Sequence, residues 1–162
     1  MSDARLDISL AGDIATWIDV LPEYQRRHIA FFLESASPIE AAETWLAYTG
    51  PRDTAAYGGV KVAASRFYDN LLLELQKLFC GSPEYKGEVQ KIKTAAGSGR
   101  LLLVGAVSTA VAPYVGAAAV VLGPAVALTL GVVGNAAQAS VCETLTDLIN
   151  ERGQKATDGP DA

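Results

Sequence analysis

Charge is what this sequence lacks, and it lacks it in one place. Residues 101–142 contain no Asp, Glu, Lys, Arg or His, a run of 42 positions in a chain of 162. Chemistry-bearing residues are scarce as well. The one histidine and two cysteines form no CxxC or Cys/His cluster, so neither zinc ligation nor a disulfide framework is expected from their spacing. Two isolated cysteines fit a reducing compartment, and Cys142, at the edge of the apolar run, reads as a buried, unreactive thiol. There is no Walker loop, dinucleotide fingerprint, HExxH or GxSxG. The chain is therefore expected to be no enzyme, with no catalytic residue, metal site or cofactor.

The residues that superficially suggest chemistry have plainer readings. His28 sits between Arg27 and Ile29 with no patterned acid or nucleophile, which marks a structural histidine. Glu40 and Glu43 share a helix face, but Glu40 is accounted for by capping. Gly97-Ser98-Gly99-Arg100 lacks the preceding strand and the Lys-Ser/Thr ending of a phosphate loop, so it reads as a hinge. Period-two alternation is also missing, which excludes convincing strands and makes the expected fold class all-α.

The net charge of −5 and sequence pI near 4.8 argue against nucleic acid as a partner, because phosphate binding needs a basic surface. Seven of the 13 basic residues nevertheless fall within 61–100, namely Lys61, Arg66, Lys77, Lys86, Lys91, Lys93 and Arg100. The N-terminal residues are mixed in charge with no apolar stretch directly behind them, so a signal peptide is not expected. The chain is then expected on the cytoplasmic side of a membrane, integral or inserting from a soluble state.

What is present is helical periodicity. Leu10, Ile14, Trp17 and Leu21 fall on one face, and Pro22 ends that helix or opens the next. Residues 24–34 form a second helix with Ile29, Phe32 and Leu33 inward and Arg26 and Arg27 outward. Ser37-Pro38-Ile39-Glu40 carries a capping box and an N1 proline, opening a third helix that Thr49-Gly50-Pro51 stops. The Gly50 to Gly59 loop is expected to be the most flexible part of this region. Val60, Ala63, Phe67, Leu71, Leu75 and Leu78 trace a five-turn stripe that ends at Cys80-Gly81, and Ser82-Pro83-Glu84 opens a fifth helix. Residues 1–100 thus read as a soluble unit of about five amphipathic helices. Residues 101–152 read as an apolar helical hairpin with a polar extension, and residues 153–162 as a disordered tail.

The hairpin carries the functional expectation. At about 1.5 Å per residue, 101–122 would span roughly 33 Å and 125–142 roughly 27 Å, close to the hydrocarbon thickness of a bilayer. The membrane-facing candidates are Leu101, Leu102, Leu103, Val104, Pro113, Tyr114, Gly116, Val120, Gly123, Pro124, Leu128 and Leu130. The tip lies at Gly123-Pro124 or at residues 113–116. Gly105/Thr109, Ala127/Gly131 and Gly131/Asn135 are small or polar pairs at four-residue spacing, suited to close helix contact. Gly134 adds another small residue, whereas Asn135 and Gln138 need a partner helix or a wet lumen. Lys91, Lys93 and Arg100 before the first arm, with an uncharged tip, fit insertion from the basic side.

These features predict a membrane-acting protein, a pore-forming or membrane-disrupting effector of toxin or defence type. Its hairpin would insert in a lipid membrane and form a homo-oligomer, and residues 1–100 would be free to meet a protein partner. Two other readings stand beside it. One is a small constitutive membrane protein with a cytosolic docking module. The other is a soluble helical interaction or assembly domain whose hairpin is its buried core.

Overall fold

The computed structural model describes residues 6, 8, 10, 12–49, 59–134 and 140–158, of which 59–64 and 155–158 are described as backbone only. Among them are eight α-helices and no strand, so the chain is all-α. The order is α1 (Ile14–Ile18), α2 (Glu23–Leu33), α3 (Pro38–Thr49), α4 (Gly59–Phe79), α5 (Val89–Ser98), α6 (Arg100–Val115), α7 (Ala119–Gly134) and α8 (Val141–Asp158). A single 3₁₀ turn, Pro83–Tyr85, lies between α4 and α5.

Local signals account for most boundaries. Ser37 and Glu40 close a reciprocal capping box at α3, with the Ser37 N–H donating to Glu40 Oε1 at 2.9 Å and the Glu40 N–H to Ser37 Oγ at 3.2 Å. Gly99, at φ 122°, separates α5 from α6, as expected of a hinge that side chains with a Cβ rarely tolerate. The first helix is shorter than its apolar stripe. Asp13 accepts from the Thr16 N–H at 2.9 Å and starts α1 there, because a carboxylate caps exposed amides and Leu10 cannot. Leu10, Trp17 and Leu21 still reach the core. The fifth helix starts later than the Ser82-Pro83-Glu84 signal suggests, since that grammar forms only the 3₁₀ turn before α5.

Helix α7 is apolar around its whole circumference, and such a helix is stable in a bundle only at its centre. Leu122 and every residue from Pro124 to Gly131 are buried. It packs against α3, α6 and α1, with α8 and α2 also touching it. One continuous core joins Trp17, Trp45, Leu71 and Leu75 to Val107, Val111, Val126 and Leu128, so the described core runs across residue 100 without a break.

Two polar devices hold the shell. Inside the core, Thr129 donates to the Ala125 carbonyl at 2.8 Å. Its oxygen therefore accepts from the Tyr68 hydroxyl, 2.7 Å away, and burial pushes that phenol well above its usual pKa. On the surface, Arg152 of α8 clasps Glu43 of α3 at 2.9 Å and Asp69 of α4 at 2.6 Å. Its guanidinium lies 4.9 Å from the Tyr68 ring centroid. Glu43 is thus the anchor of an interhelix ion pair.

Three further expectations are corrected. Cys80 and Cys142 are bonded as a disulfide, with Cα atoms 5.0 Å apart. Folding brings the end of α4 to the first turn of α8, and a separation of 62 residues hides that proximity from any spacing rule. The reading of two unpaired thiols in a reducing compartment loses its basis. The described part of the tail is helical, since α8 continues through Asp158. Finally, residues 141 and 142 belong to α8 and not to the second arm, which is described as α7 over Ala119–Gly134.

Candidate functional site

The hairpin is real, with its tip at the earlier of the two candidate positions. Gly116 adopts the left-handed conformation at φ 78°, and its N–H donates to the Ala112 carbonyl at 2.9 Å, closing α6. The chain turns by 116° between α6 and α7. No single described helix is long and apolar enough to cross a membrane, although the bent pair passes that test jointly. Helix α6 has 16 residues, or about 24 Å, shorter than the first arm read from sequence, and α7 is described over 16 residues.

The predicted hairpin residues divide by face. Leu101, Leu102, Gly105, Pro113, Tyr114, Gly116 and Val120 are exposed, whereas Leu103, Val104, Pro124, Ala127, Leu128, Leu130 and Gly131 are buried. Gly123 and Gly134 are half-buried. Of the three glycines expected at a helix contact, Gly105 faces open space, whereas Gly131 and Gly134 lie against the N-terminal segment of the same chain. A Cβ on Gly131 would lie 2.8 Å from Ile14 Cδ1 and 3.1 Å from the Trp17 ring, and one on Gly134 would collide with the Leu10 backbone carbonyl. Asn135 and Gln138 lie outside the described residues.

Gly123-Pro124 is the interior of α7, and its proline creates the site that sequence reasoning missed. Proline has no N–H to offer the carbonyl four residues back and crowds it as well. That carbonyl belongs to Val120. Gln25 of α2, itself buried, donates to it from Nε2 at 3.0 Å. Trp45 of α3 donates its indole N–H to the neighbouring Val121 carbonyl at 2.8 Å. The proline turn of the apolar helix is thus gripped by one side chain from each of α2 and α3. The sequence held one usable signal: a proline inside an apolar run leaves a carbonyl in need of an outside donor.

Beside this grip, α2 and α3 frame an open groove of about 660 Å³ lined by Tyr24, Arg27, His28, Phe31, Phe32, Trp45, Tyr48 and Thr49. Tyr24, Phe31 and Tyr48 are 52%, 66% and 62% exposed. Phe32 stacks on Tyr48 with ring centroids 5.8 Å apart. His28 is held structurally, its Nδ1 2.8 Å from the Tyr24 carbonyl and its ring edge-on to Trp45. Among the described residues no group of His, Cys, Asp and Glu is placed to hold a metal. Comparison of the chain with protein-family models, with characterised proteins and with solved structures finds no match to any of them.

Proposed function

We propose that this chain is a membrane-acting helical protein described here in a shielded state, with the α6–α7 hairpin as its effector. The observation that carries the reading is the placement of an uncharged helix, apolar on all sides, inside a shell of amphipathic helices. The shell holds its proline turn through two side-chain hydrogen bonds. Release of α7 exposes a surface that water disfavours and lipid accepts. The first arm, α6, at about 24 Å falls short of a hydrocarbon core of about 30 Å. The pair therefore enters as a bent wedge with its tip beyond the midplane, and several copies together permeabilise the bilayer.

The direction of entry follows from the charges. Lys91, Lys93 and Arg100 on one side, and Glu143, Asp147 and Glu151 on the other, hold both ends of the hairpin on the side of entry. The Cys80–Cys142 disulfide closes the base of the same loop and needs no cleavage for insertion. A second reading, an interaction or assembly domain with the hairpin as permanent core, is favoured by the close fit of Gly134 on Leu10.

Dye release from liposomes separates the two, using Val120→Arg. Val120 is 61% exposed, so the variant should fold as the parent does, a surface change being worth less than about 0.5 kcal/mol. An arginine carried towards the bilayer centre costs about 2.5–3.5 kcal/mol on insertion scales, so release should fall by roughly a hundredfold. A parent that releases no dye, or a variant that releases it equally, leaves the permanent-core reading in place.

A further inference from the structure

We propose that the α2–α3 groove is the surface by which this chain first docks on a bilayer bearing anionic headgroups, and that Trp45 links docking to the hairpin. The inference rests on the membrane reading above. The groove is rimmed by Tyr24, Phe31 and Tyr48, each more than half exposed. Aromatic rings with a polar or cationic neighbour are the side chains that settle at a membrane–water interface. Among the described residues no Asp or Glu lines the groove, and Arg27 is the permanently charged one that does, in a chain whose net charge is −5. The described lining thus offers an anionic headgroup one cation and no carboxylate, although the protein as a whole is acidic.

A bilayer fits better than a peptide because much of the groove's polar capacity is already spent within its own helices. Thr49 donates to the Trp45 carbonyl at 2.8 Å, and His28 Nδ1 engages the Tyr24 carbonyl. What is left is apolar area, the outer polar atoms of Tyr24, His28 and Tyr48, and a cation, which a fluid interface satisfies without a fixed register. Depth gives the groove its second role. Trp45, in its lining, is 3% exposed and is the donor that holds the Val121 carbonyl at the start of α7. Lipid that displaces the rim rings reaches the grip on the hairpin itself.

The test is co-sedimentation of the intact protein with phosphatidylcholine vesicles, with and without phosphatidylglycerol, run beside dye release on the same samples. Binding should require phosphatidylglycerol. Arg27→Gln should weaken it about fivefold, the worth of one basic residue near an anionic surface. The Phe31→Ser/Tyr48→Ser double variant should weaken it by on the order of tenfold, from the aromatic area withheld. Both variants should keep the parent's circular dichroism, and the thermal midpoint should fall only slightly, in the double variant, for the lost Phe32–Tyr48 stack. Parent-like binding by both variants, or no binding by the parent, overturns the docking surface. A parent dimer that the double variant dissociates, with vesicle binding unchanged, also overturns it and makes a second copy the occupant. Dye release with variant-insensitive binding sinks docking but not hairpin insertion. Groove-dependent binding without release does the reverse.

Discussion

Gln25 supplies the hydrogen bond that Pro124 cannot. The two are on helices distant in sequence, and they meet at the Val120 carbonyl, 3.0 Å from Gln25 Nε2. A buried glutamine on α2 has its reason in a proline on α7.

That relationship predicts an energetic coupling. Gln25→Leu should destabilise the protein by about 1–2 kcal/mol, the cost of losing the bond and leaving a carbonyl poorly satisfied. In a Pro124→Ala background, residue 124 regains an N–H for the Val120 carbonyl, so the same change should cost a few tenths of a kcal/mol at most. Urea unfolding of the four proteins measures this. Equal costs in both backgrounds would mean that the two residues act independently.

The core pair should respond asymmetrically. Thr129→Val leaves the Tyr68 hydroxyl buried with no acceptor, costing about 1–3 kcal/mol. Tyr68→Phe leaves Thr129 still bonded to the Ala125 carbonyl and should cost about 1 kcal/mol. The double variant should be more stable than Thr129→Val alone. The opposite order in chemical denaturation would reverse the donor assignment made here.

The two glycines of α7 differ in what they face. Gly134→Ala meets the Leu10 backbone, which cannot step aside, and should cost about 2–3 kcal/mol. Gly131→Ala meets the end of the Ile14 side chain and the Trp17 ring. The Ile14 methyl can rotate away, so a cost under about 1 kcal/mol is expected, offset in part by better helix propensity. Thermal melts showing equal losses would rule out this packing.

The crosslink should stabilise the fold by restricting the unfolded chain. A loop closed over 62 residues is worth about 4 kcal/mol in the chain-entropy treatment. Cys80→Ser/Cys142→Ser, or addition of a dithiol reductant, should lower the denaturation midpoint accordingly. A non-reducing peptide map should join the two cysteine-bearing peptides. An unmoved midpoint would show that the bond does not contribute.

What the sequence by itself determined is local: helix periodicity, the Ser37–Glu40 cap, the break at Gly99, and an apolar hairpin too uncharged to face water. Each depends on residues within a few positions of one another, where steric and hydrogen-bonding preferences act without outside help. Even the start of α8 was within reach. Ser140 and Glu143 form a cap, with the Glu143 N–H donating to Ser140 Oγ at 3.2 Å, but the uncharged run around Ser140 reads as one continuous arm. The tertiary structure alone decided the Cys80–Cys142 bond, the donor from Gln25 to a proline turn, and the enclosure of α7 by helices on both sides of residue 100. Those depend on which distant surfaces meet, and that is set by burying all the apolar faces at once.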